Sequence, residues 1–179
     1  MKRVAVFCGS GEGNSKEFVE LATKVGTQIG ENGLALVYGG ASIGMMGAVA
    51  DAALLKNAQV WGIMPKYFME GQWRGEIAHT GLTHFEVTDD MHTRKLRMYE
   101  LSDAFISLPG GLGTMDEFFE ICTWRQIEMH QKPCYLLNHN GYYNHLIKHI
   151  ESSYQSGLMA ADIIKVFNNI EDLLKDFLT

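Results

Sequence analysis

The sequence predicts an α/β fold of three layers, a mostly parallel sheet with helices on both faces. Three observations carry that expectation. Short apolar runs of strand length alternate with helical patterns along all 179 residues, and parallel strands need such crossovers. The chain is 46% hydrophobic, and a chain of this length hides roughly 70% of its unfolded surface, so a real core is expected. Finally, 19 glycines stand beside only 3 prolines, and many fall where strands pass into helices, the place where such sheets bind ligands.

Residues 3–8, Arg3-Val4-Ala5-Val6-Phe7-Cys8, form the first predicted strand. This apolar run is far shorter than the ~20 residues a membrane helix needs, and too short for a signal peptide. A helix is predicted over 15–31, closed by Asn32-Gly33, since glycine readily takes the left-handed conformation that ends helices. A strand over 34–38 leads to a helix rich in Ala and Met over 44–57, and the strand over 59–64 stops at Pro65. The stretch 66–80 reads as irregular, with room for a short helix. Strand 83–88 and a helix over 90–102 follow, then strand 104–108, a helix over 115–130 and strand 133–138. A helix over 142–156, a strand over 164–167 and a helix over 170–177 complete the chain. With no linker, repeat or charge block, residues 1–179 are expected to form one domain. The pattern is that of a Rossmann-like three-layer sandwich.

Composition excludes several functions. There are 15 Lys and Arg against 21 Asp and Glu, a net charge of −6, a poor footprint for a nucleic acid polymer or an anionic membrane. The three cysteines, Cys8, Cys122 and Cys134, contain no C-x-x-C pair. They fit reduced thiols in a cytoplasmic protein. His145 and His149 are spaced i, i+4 but lack the Glu of H-E-x-x-H and a third ligand, so no metal is expected.

Three glycine loops follow predicted strands. The first, Gly9-Ser10-Gly11-Glu12-Gly13-Asn14, has Asn14 where G-x-G-x-x-G requires glycine. The second strand ends in Val37-Tyr38-Gly39-Gly40 rather than near an acid that would hold a ribose. A dinucleotide cofactor is therefore not expected, and no P-loop sequence is present. In the second loop, Gly44 and Gly47 lie three apart on one helix; close packing and ligand contact both remain open. The third loop, Leu108-Pro109-Gly110-Gly111-Leu112-Gly113-Thr114, runs into Met115-Asp116-Glu117. Its glycines let backbone approach a ligand, and the free N–H groups of the following helix start make a phosphate cradle. A capping box, Thr114 with Glu117, is the competing account of those two residues. It does not explain three glycines and a proline in the five preceding positions.

The helix before that loop carries Met91, Met98 and Leu101 on one stripe, and the positions that complete the stripe are Arg94 and Lys95. Cations on a buried stripe require anionic partners; the competing account is that both snorkel to water or pair with Asp90 and neighbouring acids.

These residues resemble a known family. Pro109 to Glu117 matches PGGxGTxxE, and Met91-His92-Thr93-Arg94-Lys95 matches MxxRK. Cys8-Gly9-Ser10 and Tyr38-Gly39-Gly40 with Gly44-Met45-Met46-Gly47 are similar to the family's first two glycine loops. The family is Lonely Guy, cytokinin-activating phosphoribohydrolases long labelled "possible lysine decarboxylase"; the resemblance spans roughly residues 3–150. It implies hydrolysis of the N-glycosidic bond of AMP and N6-modified adenosine monophosphates to free base and ribose 5-phosphate, without a cofactor, by a homodimer with its site near the interface. By motif position it implies Arg94 and Glu117 as the catalytic pair. Gly110, Gly111, Leu112, Gly113 and Thr114 would hold the phosphate, with Lys95 nearby. Further substrate contacts would come from Gly9, Ser10, Gly40, Met91, Pro109, Asp116 and Thr123, and from Glu76 in Arg74-Gly75-Glu76-Ile77. Departures at Gly11-Glu12-Gly13, at Ala78-His79-Thr80-Gly81 and at Thr83-His84-Phe85 bear on base preference, not on the reaction class. No lysine setting for pyridoxal phosphate supports the decarboxylase label. Two other functions are weighed against this one: a nucleotide carrier without turnover, and a nucleosidase for other nucleoside monophosphates.

The chemistry agrees with the residues. Cleaving a ribose–base bond builds an oxocarbenium-like transition state, which needs a carboxylate beside the anomeric carbon. Glu117 suits that place, with Asp116 and Glu120 as alternates, and a helix N-terminus favours its ionised form. Arg94 stays charged, so its role is positional or electrostatic. His92 is a weak candidate for protonating the leaving base. The helix 115–130 is apolar on more than one side, with Trp124 opposite Met115, and either a symmetric partner or the chain's own C-terminal helix would cover the second side.

Overall fold

The computed structural model of the protein describes residues 1–69 and 77–179. Among these, seven strands form one parallel sheet: β1 (Arg3–Phe7), β2 (Ala35–Tyr38), β3 (Val60–Pro65), β4 (His84–Thr88), β5 (Ala104–Ser107), β6 (Cys134–Leu137) and β7 (Ile164–Phe167). The strand order is β4-β3-β2-β1-β5-β6-β7, and every pairing is parallel. The helices are α1 (Glu17–Glu31), α2 (Gly44–Leu55), α3 (Lys66–Met69), α4 (Met91–Leu101), α5 (Leu112–Gln126), α6 (Asn144–Gln155) and α7 (Ile170–Leu178). This is the expected Rossmann-like sandwich. The chain winds outward from β1 to β4, then crosses back and winds from β5 to β7. The loops after β1 and β5 therefore part at the switch between them, where a cleft opens beyond the strand ends.

The two-residue period of β1 divides the core. Val4 and Val6 face one way, onto residues of α1, α2 and α7, among them Val25, Val49 and Leu173. Ala5 and Phe7 face the other, onto Met98 of α4 and Phe118 and Ile121 of α5. Burial on both faces is why the central strands read as unbroken apolar runs. Outer strand β4 is different: Phe85 and Val87 remain exposed.

The first helical layer rests on glycine. At Gly26 of α1 a Cβ would overlap the Val49 carbonyl of α2, so the two helices approach backbone to backbone. Helix ends follow a shared rule. Gly33, Asn57 and Glu128 each stand just past a helix with φ near +60° (65°, 59° and 64°), and the next residue's N–H reaches back to the last turn. This ends α5 at Gln126, four residues earlier than the expected 130.

The start of α5 also departs from expectation. The helix begins at Leu112 with Gly111 as its N-cap, so Thr114 is its third residue and Glu117 its sixth. No capping box forms, because Thr114 turns inward toward Gly110 and Glu117 is drawn to Arg94. The apolar residues of this segment sort unevenly. Phe118, Ile121 and Cys122 are buried, and Trp124 packs edge-on against Tyr99 at 5.2 Å rather than facing outward. Phe119, Ile127 and Met129 stay exposed. No described helix is long and apolar enough to cross a membrane.

Candidate active site

The first and third glycine loops, with α2, α3 and α4, enclose a cavity of about 330 Å³ beyond the ends of β1 and β5. Its lining comes from Cys8, Gly9 and Ser10 after β1, Met46 of α2, Phe68 of α3, Met91 and Arg94 of α4, and Gly111 to Thr114, Asp116 and Glu117 of α5. A second cavity of about 270 Å³ adjoins it, sharing Gly9, Ser10 and Gly111 and adding Pro109, Gly110, Phe18 and Tyr142.

The loop after β5 is held from behind. Gly9 N–H donates to the Pro109 carbonyl at 3.1 Å, joining the first and third loops. Tyr142 O–H donates to the Gly110 carbonyl at 2.9 Å, and Tyr143 O–H donates to the Leu108 carbonyl. Gly110 has no room for a side chain, since a Cβ there would overlap Thr114. The result is a fixed backbone leading into α5, whose N-terminus carries no side-chain cap. The Gly111 carbonyl accepts from Met115 N–H, the first bond of the helix, so the N–H groups of Leu112, Gly113 and Thr114 have no partner within the helix. That start combines open donors with the positive end of the helix dipole, the setting that holds phosphate.

Beside it lies the charged pair that the stripe on α4 demands. Arg94 and Glu117 meet at 3.0 Å with side-chain exposures of 9% and 12%. Arg94 Nε donates to the Ile63 carbonyl of β3 at 3.0 Å, so the guanidinium is held at both ends. Lys95 is equally buried but turns away from the cavity: its ammonium meets Asp116 and Glu120, each at 3.1 Å. Burial alone would depress its pKa; the bonds to the two carboxylates outweigh it and raise the value. The cavity floor contributes Cys8. Burial, with the charge of Glu117 second, pushes its thiol far up, so it stays protonated and is no nucleophile.

The structure thus gathers Gly9, Ser10, Met91, Arg94, Gly111, Leu112, Gly113, Thr114, Asp116 and Glu117 around one cavity. Pro109 and Gly110 line the adjoining one. Three residues singled out in the sequence stand elsewhere among the described contacts. Lys95 is bound to carboxylates, Gly40 packs against Met64 and Phe85 with φ +85°, and exposed Thr123 donates to the Phe119 carbonyl. Glu76 lies outside the described residues. His92, His145 and His149 are exposed. Among the described residues no three His, Cys, Asp or Glu side chains gather as a metal-holding group. Sequence reasoning missed Phe68 and the paired tyrosines behind the loop, and it read Met46 only as part of the second glycine motif, not as an apolar lining residue. Phe68 carries no motif, and only the adjacency of Tyr142 and Tyr143 stands out in the sequence.

Residues 46–177 match the sequence model of the family described as "possible lysine decarboxylase". A relative from Rhodococcoides fascians, named cytokinin riboside 5'-monophosphate phosphoribohydrolase, is 47% identical over 158 residues, covering 88% of this chain and 78% of its own. One of the same name from Arabidopsis thaliana is 41% identical over 159 residues, covering 89% and 73%. Among solved structures, the molybdenum cofactor binding protein of Rippkaea orientalis superposes with a TM-score of 0.71 at 21% identity, covering 100% of this chain and 99% of its own. At that identity the likeness concerns the fold.

Proposed function

Because the chain belongs to the Lonely Guy family, the group whose sequence model carries the "possible lysine decarboxylase" description, we propose that it hydrolyses nucleoside 5'-monophosphates. Water adds to C1' of the ribose, the C1'–N bond breaks with its electron pair going to the base, and free base and ribose 5-phosphate leave. The substrate class is AMP and its N6-modified forms. The observation that carries this reading is the buried Arg94–Glu117 pair, 3.0 Å apart, beside an uncapped helix start. A protein that only held phosphate would have no use for a carboxylate in that place.

The roles follow from the chemistry. The open N–H groups of Leu112, Gly113 and Thr114 bind the 5'-phosphate. With the phosphate there, Glu117 stands one helical turn along, where a carboxylate stabilises the positive charge that grows at C1' or orients the attacking water. Arg94, always charged, holds Glu117 in place and offsets its charge until the sugar becomes cationic. Met91, Met46 and Phe68 provide an apolar wall for the base. Glu76 retains the substrate-binding role that the family resemblance implies.

One domain carries this site, and the protein acts as a homodimer in the cytoplasm. Exposed Phe85, Val87, Leu96 and Phe119 support a covering partner, and three free buried cysteines support a reducing compartment. The test is incubation with a panel of nucleoside monophosphates, assaying free base and ribose 5-phosphate. Release from AMP or an N6-substituted AMP is expected; binding without release would leave a nucleotide carrier instead. Light scattering should give twice the 20.0 kDa chain mass.

A further inference from the structure

We propose that Gly39 is a positioning residue for Arg94: the side chain missing at the end of β2 is the space the guanidinium fills. The activity arm of this inference rests on the hydrolase reading above; the geometric arm does not. Arg94 reaches the cavity from α4 across the ends of β2 and β3. Its Nε is spent on the Ile63 carbonyl and its Nη1 on Glu117. The remaining nitrogen, Nη2, lies against the Gly39 backbone. A Cβ built on Gly39 would overlap Nη2, and would stand 3.4 Å from Cζ of Arg94 and 3.1 Å from Sδ of Met46.

Backbone conformation is not the reason for glycine here. Its neighbour Gly40 has φ +85°, a left-handed value, whereas Gly39 lies outside that region. An L side chain is therefore allowed at Gly39 by its own dihedrals and forbidden only by what stands opposite. The nature of that obstacle matters. At Gly26 and Gly47 an added Cβ would meet backbone of another segment, and the fold itself would have to shift. At Gly39 it meets the far end of a side chain, which can swing. The cost of Gly39→Ala falls on the place of the guanidinium rather than on the packing of the sheet. To make room, Arg94 must loosen its hold on Ile63, on Glu117 or on both. The second glycine loop thus serves the reaction without facing the ligand at this position.

The experiment compares wild type, Gly39→Ala, Arg94→Ala and the double variant, measuring kcat and KM for ribose 5-phosphate release from AMP together with thermal unfolding. Gly39→Ala is expected to melt no lower than Arg94→Ala, which loses the same buried pair outright, while kcat falls about 100-fold, the loss a displacement near 1 Å in an active site can bring. The double variant should fall no further than Arg94→Ala, because the glycine acts only through the arginine. Independent losses that multiply in the double variant, or wild-type kcat in Gly39→Ala, would overturn the proposal. If Gly39→Ala fails to fold, the double variant should fold again, since removing the guanidinium removes the clash; an unfolded double variant would equally refute it. Failure of the hydrolase reading is told apart by the Nε–H signal of Arg94 in a ¹⁵N–¹H spectrum, identified by its absence in Arg94→Ala. That signal should shift or broaden in Gly39→Ala even in a protein that turns over nothing, and an unmoved signal would sink the proposal.

Discussion

Glu117→Gln separates charge from shape at the centre of the site. Glutamine keeps the length of the side chain and an oxygen that accepts from Arg94 Nη1, and Arg94 Nε keeps the Ile63 carbonyl. What disappears is one negative charge facing a guanidinium that is 9% exposed. Deleting a whole partner from a buried pair costs about 3–5 kcal/mol. With both hydrogen bonds retained, the expected loss is the charge assistance of one bond, about 2 kcal/mol. For a chain of this size that lowers Tm by about 4–8 °C, so the variant remains folded at assay temperature. Turnover should drop much further, by about 10²–10⁴, the usual contribution of a positioned catalytic carboxylate. Nucleotide binding should survive, because the phosphate is held by backbone N–H groups of α5 that the substitution leaves alone. The assays are ribose 5-phosphate release, calorimetric binding of AMP and thermal unfolding. Full turnover in Glu117→Gln, or loss of binding in step with loss of turnover, would refute the assignment.

Two further predictions concern the scaffold. Gly26→Ala should shift the urea midpoint downward by the equivalent of about 1–3 kcal/mol, an overpacking cost, since its new Cβ meets the Val49 carbonyl, which cannot rotate away; an unchanged midpoint would mean that α1 and α2 can separate freely. His130 should make the fold acid-sensitive. Its Nε2–H donates to the Ile121 carbonyl and its Nδ1 accepts from Lys132 N–H, so the neutral ring is the one that fits, and burial lowers its pKa. Below the ordinary histidine value of about 6.5 the unfolded chain takes up a proton that the folded chain resists. Stability should therefore fall as pH drops through that value, by at most about 1.4 kcal/mol per unit, and level off below the folded-state value. His130→Gln should flatten this part of a Tm-against-pH curve, and an identical slope in both proteins would assign the sensitivity to other groups.

Local rules decided most of what could be read directly. The strands and helices were legible because periodicity and glycine placement are properties of short stretches: Asn32-Gly33 closes α1 where expected, and β2, β6, residues 4–7 of β1 and residues 104–106 of β5 show the unbroken apolar character of strands buried on both faces. The need of Arg94 and Lys95 for partners was also legible, because two cations on an apolar stripe of α4 must either reach water or meet carboxylates. Local rules failed where two segments compete for one residue. Thr114 and Glu117 satisfy the spacing of a capping box, yet a charged pairing with Arg94 outweighs a backbone bond, so α5 starts earlier and its first turn is left open.

By itself the sequence determined the layers, the three glycine loops and the residue types a nucleotide hydrolase needs. Those follow from side-chain period, from missing Cβ atoms and from charge. Only the tertiary structure decided that the strand order reverses between β1 and β5, which brings loops nearly a hundred residues apart around one cavity. It alone paired Arg94 with Glu117 while turning neighbouring Lys95 toward Asp116 and Glu120, and it placed Gly39 against the guanidinium. The physical reason is range: backbone preference acts over a few residues, whereas burial of charge and exclusion of atoms are settled only when distant segments meet.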